Sequence, residues 1–409
     1  MKPSKYNILF AYKGKTLAFN SLSTGFAEVN NDFLRILNNI KNMDISQLNK
    51  QDEILLENMR KGNFIIDDDY DELNMIKFNS YFGKFSNKHF DLTIAPTLQC
   101  NFDCPYCYEE RKLGIMSSDV MNAICNTIKY EAANKHSISV TWYGGEPLLV
   151  KNLIFDMSQK IIDICNEENV KYNSVIITNG YLINDDIADN FKRLQIRGAQ
   201  ITIDGPPNIH NSRRKLRGKT TKGSFDIIIK NIKKLMKKDI AVNIRVNIDK
   251  NNMLTIEELS DILVQNGLQA CNISFGYVKN YTSACDCSIT DNLTNEQYAQ
   301  KILIYQKLFL NHGFKVLDYP YYPGIKANYC CADSINSFVI DYNGEMYKCL
   351  NDIGDKKRSV GNIKNPITHY DNLNIRYLMW FIFLKPIHVR LFIILHELAL
   401  RIYEISPQI

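Results

Sequence analysis

Between residues 91 and 313, short apolar runs rich in β-branched residues alternate with longer stretches whose apolar positions recur every three or four residues. That alternation is the mark of repeated βα units around a parallel sheet, and six units can be counted. The predicted strands are DLTIAPT from Asp91, ISVTWYG from Ile138, SVIITNG from Ser174, AQITIDG from Ala199, AVNIRVNI from Ala241 and CNISFGYV from Cys271. Val120, Ile124 and Ile128, and again Ile227, Ile228, Ile232 and Leu235, lie at helical spacing and predict crossover helices. The expected fold class is therefore α/β. Residues 1–90 carry a different pattern: KYNILFAYKGKTLAFNSLSTGFAEVN alternates apolar and polar positions across turns at Lys13-Gly14 and Ser23-Thr24-Gly25, which predicts a small antiparallel sheet. A helical stretch follows from Asp32. This sheet-plus-helix module reads either as a cap on the larger domain or as a peptide-docking element that offers a sheet edge.

Composition narrows the picture. With 409 residues, 45% hydrophobic and 23% charged, the chain has the balance of a globular protein. The net charge of +5 is mildly basic, and Lys and Arg are scattered rather than gathered into a stripe, so nucleic acid is not an expected partner. The opening MKPSKYNILF lacks the apolar core of a signal peptide and no run is long enough to span a bilayer, so no membrane association and a cytoplasmic location are expected. In that reducing compartment the 11 cysteines read as metal ligands and buried thiols rather than a disulfide framework, and their odd number agrees.

Three of these cysteines stand together. In CNFDCPYCYE, Cys100, Cys104 and Cys107 fall on a loop directly after the first predicted strand, close enough in sequence to reach three corners of one cubane iron–sulfur cluster. A fourth iron is left without a protein ligand, and such an open position suits the amino and carboxylate groups of S-adenosylmethionine. Zinc prefers four Cys or His ligands, and His89 and His136 are neither near nor in finger-like spacing. A ferredoxin needs a fourth cysteine nearby, whereas Cys125 falls among Met121, Ile124 and Ile128 on a helix face; it and Cys165 read as core residues. After the second strand, Gly144 and Gly145 permit close backbone approach, and Glu146 offers an acceptor to an ammonium group. Thr178-Asn179-Gly180 ends the third strand with polar side chains that reach toward ribose hydroxyls.

The triad, with Tyr106 before its last cysteine, resembles the signature of the radical S-adenosylmethionine superfamily, and the six βα units resemble that family's partial (β/α)6 TIM-type barrel, covering about half of the chain. WYGGEP resembles the family's Gly-Gly-Glu-Pro motif, which implies that Gly144, Gly145 and Glu146 hold the methionyl amine. ITIDGPPNIHNSRRK is similar to a stretch typical of peptide- and protein-modifying members; Asp204 and Arg214 match its positions, and Arg214 is implied to pair with the methionyl carboxylate. The resemblance implies a [4Fe–4S] cluster, reductive cleavage of S-adenosylmethionine to a 5′-deoxyadenosyl radical, and an electron donor such as a flavodoxin or ferredoxin.

Downstream, residues 314–370 contain Cys330, Cys331 and NGEMYKC, where Gly344 and Cys349 resemble the Gly-x4-Cys element that opens a SPASM region. This implies an auxiliary iron–sulfur cluster with Cys330 and Cys349 among its ligands; Cys285 and Cys287 either add to it or stay free. The pattern then breaks, because no cysteine follows Cys349 and residues 371–409 form an apolar tail, YLMWFIFLKPIHVRLFIILHELALRIYEISPQI from Tyr377. That tail reads as natural divergence or as a changed reading frame. Residues 15–75 loosely resemble the winged-helix element that binds a leader peptide, so the resemblance points to a maturase of a precursor peptide, forming a thioether or other cross-link. An anaerobic sulfatase-maturing activity that makes formylglycine is the alternative, and a non-catalytic iron–sulfur scaffold is the reading from another class.

Overall fold

The computed structural model describes residues 1–218, 223–279, 293–317 and 330–365. Cys285, Cys287 and the tail from 371 to 409 lie outside the described residues. Contacts divide the described chain into two units, Met1–Phe85 and the remainder from Ser86.

In the first unit, β1 (Lys2–Pro3) and a strand near residue 65 form a two-stranded ladder, while β2 (Asn7–Tyr12), β3 (Lys15–Asn20) and β4 (Phe26–Val29) make an antiparallel three-stranded sheet. Lys13 and Gly14 both take positive φ, 47° and 77°, the paired conformation that turns a two-residue hairpin. α1 (Asn31–Asn39) starts at Asn30, whose side chain accepts from the Phe33 N–H, and it buries Phe33, Ile36 and Leu37. α2 (Lys50–Lys61), β5 (Ile65–Ile66, the partner of β1) and α3 (Glu72–Phe85) complete the unit.

The second unit is built on one ten-stranded sheet. Its parallel part is β6 (His89–Ile94), α4 (Ser118–Ala132), β7 (Ser137–Trp142), α5 (Lys151–Glu167), β8 (Lys171–Thr178), α6 (Asp185–Arg193), β9 (Ile196–Thr202), α7 (Pro207–Arg213), α8 (Phe225–Lys237), β10 (Ala241–Ile248), α9 (Ile256–Gln265), β11 (Asn272–Tyr277), α10 (Asn295–Asn311) and β12 (Lys315–Val316). Strands β6 to β12 are neighbours in sequence order, each parallel to the next, as right-handed βα repetition requires. One face buries Leu92, Val140, Ile176, Ile201, Ile244 and Ile273 against the helices in a single core. The other face carries half-buried polar residues such as Thr93, Thr141, Thr202 and Asn247, so the inside of the partial barrel is lined for a polar ligand.

All six predicted strands are present. The phase of one helix differs from expectation: on α8 the buried stripe is Ile228, Ile229, Ile232 and Leu235, and Ile227 is partly exposed, because at 100° per residue Ile227 falls to the stripe's edge. Cys125 and Cys165 are buried in the core. A larger surprise lies at the other edge of the sheet. β13 (Ser337–Ile340) pairs in parallel with β6, and β14 (Glu345–Tyr347) and β15 (Gly361–Asn362) add antiparallel strands beyond it. Gly344, at φ +85°, turns β13 into β14. Residues 330–365 thus extend the barrel sheet itself. Among the described residues no helix is long and apolar enough to cross a membrane.

Candidate active site

The loop that leaves β6 carries Cys100, Cys104 and Cys107, and neighbouring strand ends tie it down. Glu146 N–H donates to the Gln99 carbonyl (2.8 Å) and Gly145 N–H to that of Thr97 (3.3 Å). A Cβ on Gly144, whose φ is +110°, would stand 2.2 Å from the Thr97 carbonyl oxygen, and one on Gly145 would stand 2.3 Å from that of Gln99. The glycine pair therefore serves close approach between two strand ends of the protein, where the sequence suggested close approach to a ligand. On the loop's other side, Asp103 N–H donates to the Lys215 carbonyl and Arg217 N–H to that of Asn101, each at 2.8 Å.

Burial pushes the thiols of Cys100 and Cys107 up to about 12; Cys100 also feels the charges of Glu146, Cys104 and Cys107. Burial raises Cys104 as well, opposed by Arg214, Arg111 and Arg213. Three half-buried cysteines near enough to repel one another as thiolates need positive charge among them, which a metal centre supplies. Among the described residues, no three His, Cys, Asp or Glu side chains converge on a single metal position.

Around the triad stand two walls. The first is Glu146, fully buried, whose Oε1 accepts from Leu148 N–H (3.0 Å) and Thr178 Oγ1 (2.7 Å) and whose Oε2 accepts from Asn179 N–H (2.7 Å). Burial raises its carboxyl against these three donors, and one of its four lone-pair positions is left for an ammonium group. The Asn179 side chain donates to Asn101 Oδ1 (2.7 Å) and accepts from Tyr181 N–H (3.0 Å), so it braces the cysteine loop.

The second wall joins Tyr106, Asp204, Arg213 and Arg214. Arg214 Nη1 donates to the Tyr106 hydroxyl (2.7 Å), which in turn donates to Asp204 Oδ2. Arg213 clamps Asp249 through two bonds from Nη1, at 2.8 and 2.7 Å, with its guanidinium 5.0 Å from the Tyr106 ring centroid. Burial works against the charge of Arg214, but Tyr106, Cys104 and Asp204 outweigh it and raise its pKa. Arg214 Nε and Arg213 Nε and Nη2 are buried without a hydrogen-bond partner, which is the state expected of donors waiting for an anionic ligand.

Sequence reasoning missed His210, Asn101, Asp249 and Glu109. His210 is fully buried; its Nδ1 accepts from Asp204 N–H (3.4 Å) and its Nε2 bonds Ser224 Oγ (3.2 Å), so it links the two ends of the second wall. Burial, with Arg214 and Arg213 nearby, holds its pKa well below 6.5. The unfolded chain therefore binds the extra proton below about pH 6.5 while the folded one does not, so stability rises with pH through that region and is lost as pH falls. Apoprotein stability should drop between pH 6.5 and 5.5 by about 1 kcal/mol on account of this residue. Denaturant midpoints for native protein and His210→Asn, the latter with a shallower slope, check it. Glu109 follows Cys107 and Tyr108; burial raises its carboxyl to about 7, and Tyr143, its hydrogen-bond partner, bonds the Tyr108 hydroxyl. The only sequence signal for Asp249 was its place just past a strand end.

Cys330 and Cys331 are exposed, with sulfurs 3.9 Å apart, and Cys349 is half-buried. The hydrogen bond from Cys331 lowers the Cys330 thiol and raises that of Cys331, and Cys349 feels the charge of Cys330. The structure thus groups these thiols.

A sequence profile of the radical SAM superfamily matches residues 94–263. An uncharacterized protein of Methanocaldococcus jannaschii is 31% identical over 284 residues, covering 65% of this chain and 90% of that protein. The chain belongs to the radical SAM superfamily. A cysteine-type anaerobic sulfatase-maturating enzyme of Clostridium novyi is 29% identical over 181 residues, 42% of this chain and 47% of that enzyme. Apart from the archaeal protein, the matched region spans about half or less of the curated relatives, 50% in the cyclopropyl synthase TigE of Paramaledivibacter caminithermalis and 38% in a Synechocystis protein. The fold is that of native anSMEcpe with bound AdoMet (TM-score 0.56, 21% identity, 70% of this chain and 80% of that one) and of Streptococcus suis SuiB bound to precursor peptide SuiA (0.50, 15%, 89% and 86%).

Proposed function

We propose that this chain holds a [4Fe–4S] cluster on Cys100, Cys104 and Cys107, binds S-adenosylmethionine beside it, and modifies a peptide by radical chemistry. The observation that supports the reading is the grouping of three half-buried cysteines between a carboxylate with a lone pair to spare and two arginines with unpartnered donors. When bound, cluster and S-adenosylmethionine together supply one-electron cleavage of a sulfonium and a carbon radical able to take a substrate hydrogen. The chain's own groups do the rest. Glu146 accepts from the methionyl amine, and Arg214, steadied by Tyr106 and Asp204, takes the methionyl carboxylate. Gly144, Gly145 and Asn179 fix the cysteine loop in place. A one-electron donor such as a flavodoxin or ferredoxin completes the requirement. Cys330 and Cys349 are assigned to an auxiliary centre.

A peptide substrate is supported by relatives named for peptide maturation, among them the sporulation killing factor maturation protein of Bacillus subtilis. Formylglycine formation is the second reading, supported by the sulfatase-maturating relative. Anaerobically reconstituted protein, reduced with dithionite, should carry about four iron and four sulfide per chain, or about eight with an auxiliary cluster, and release 5′-deoxyadenosine. Protein that loads zinc in their place, or holds S-adenosylmethionine without cleaving it, sinks the proposal. The product separates the two readings: a cross-link retains the cysteine sulfur, whereas formylglycine made from cysteine has lost it.

A further inference from the structure

The cysteine loop has an outer side that the cofactor assignment leaves without a role. Phe102 on the loop and Leu216 after α7 form an antiparallel bridge, flanked by the backbone bonds at Asp103 and Arg217. Phe102 is fully buried, with the Arg214 guanidinium 5.5 Å from its ring centroid, and Leu216 packs on the same core. Side chains alternate across an extended pair, so Asp103, Lys215 and Arg217 are turned to the opposite side, and all three are exposed.

The charge of this outer side is predominantly positive. Asp103 Oδ1 pairs with Arg111 Nη1 (2.5 Å), and Lys112 pairs with Glu110 (3.2 Å). Lys215 and Arg217 have no acidic partner among the described residues, so their two charges are uncompensated. Leu113 follows Lys112 and is 88% exposed, although the chain around it is fixed: the Gly114 carbonyl accepts from Thr97 Oγ1 (2.7 Å) and Met116 N–H donates to the Pro96 carbonyl (2.9 Å). A bare leucine beside unpaired cations suits a partner that presents an apolar spot ringed by carboxylates. Glu146 and Arg214 lie on the inner side with the rest of the ligand cradle, so a partner seated outside competes with neither cofactor nor substrate. An electron carrier needs only to approach the loop that holds Cys104 and Cys107, not to enter the barrel.

Resting on the cluster reading above, we propose that this outer side docks an acidic flavodoxin, its carboxylates set against Lys215 and Arg217 and the apolar dimethylbenzene edge of its flavin against Leu113. One electron passes from the reduced flavin to the cluster of the triad, leaving the flavin oxidised by that one electron, with no bond made or broken. The exposed leucine selects the flavin carrier over a ferredoxin, which has no such apolar edge to offer.

The test pairs binding with a bypass. Oxidised flavodoxin is titrated against the anaerobically loaded protein and followed by its flavin absorbance. Affinity should fall about tenfold between about 50 and about 300 mM salt, as screening of opposed charges requires. Lys215→Glu with Arg217→Glu should weaken binding about tenfold and flatten the salt dependence, and Leu113→Ser should weaken it about threefold. Lys171→Glu, at the start of β8 and so at the opposite end of the parallel strands, should change nothing. Dithionite is small and needs no docking surface, so the charge-reversed protein should keep its iron and its dithionite-driven release of 5′-deoxyadenosine while flavodoxin-driven release falls about tenfold. Should charge reversal cost iron, Lys215→Gln with Arg217→Gln should still weaken and flatten the binding. Absent or salt-indifferent binding by native protein, binding unchanged in the charge-altered proteins, or tighter binding of an equally acidic ferredoxin overturns the proposal. Native protein that releases no 5′-deoxyadenosine with dithionite fails the function proposed above instead, whatever flavodoxin does.

Discussion

Replacing Cys104 by alanine is expected to bring bound iron from about four per chain to near zero and to abolish 5′-deoxyadenosine release, with little change in the fold. A cubane held by three thiolates loses a corner ligand with any one of them, and Cys104 is the one facing the Arg214 and Asp204 wall. The stability cost is small, because the side chain is short and its loop is held by backbone bonds donated by Glu146 and Arg217 and accepted by the Lys215 carbonyl. Cys125→Ala provides the opposite pattern. That thiol is packed in the helix α4 core, so its loss should cost about 1–2 kcal/mol while leaving iron in place. Iron and sulfide assays beside circular dichroism decide the matter; a Cys104→Ala protein that keeps its iron contradicts the ligand assignment.

Gly144→Ala should be the most damaging single methyl addition near the site. It combines a φ of +110° with a Cβ placed 2.2 Å from a backbone carbonyl, and backbone on both sides cannot yield as a side-chain tip can. A loss of about 2–4 kcal/mol follows, with reduced iron loading because the cysteine loop is what gets displaced. Gly14→Ala is the control: its φ is +77° but nothing lies within 4 Å of its Cβ, so only the conformational cost of about 1 kcal/mol applies. Urea unfolding of both apoproteins checks the contrast, and equal losses would show that crowding against Thr97 plays no part.

The strands were legible because each is a short β-branched run closed by a turn residue, and local pattern is enough for that. The triad was legible as a motif because its three cysteines lie within a few residues of one another, the spacing a cluster-binding loop uses. What the sequence hid was non-local. SFVI at Ser337–Ile340 is too short to declare a partner, and only the fold shows that it lies beside β6. Asn179 read as a ligand-facing residue, yet its side chain spans to Asn101, 78 positions earlier. The backbone that Gly144 and Gly145 approach, at Thr97 and Gln99, belongs to another strand end and so lies outside any local pattern. His210 gave no signal, since a lone histidine in a polar stretch is ordinary until burial isolates it.

The parallel pairing of β13 with β6 has a bearing on biogenesis. Leu98 and Tyr108, on either side of the cysteine loop, pack with Val339, Tyr347 and Ile353, and Lys112 donates to the Gly354 carbonyl (2.6 Å). A nascent chain that has emerged only as far as β12 has its thiols made but lacks the floor beneath them. On the ligand assignment proposed above, a chain stalled before the segment around Gly354 is released would leave its three sulfurs without that packing and open to oxidation.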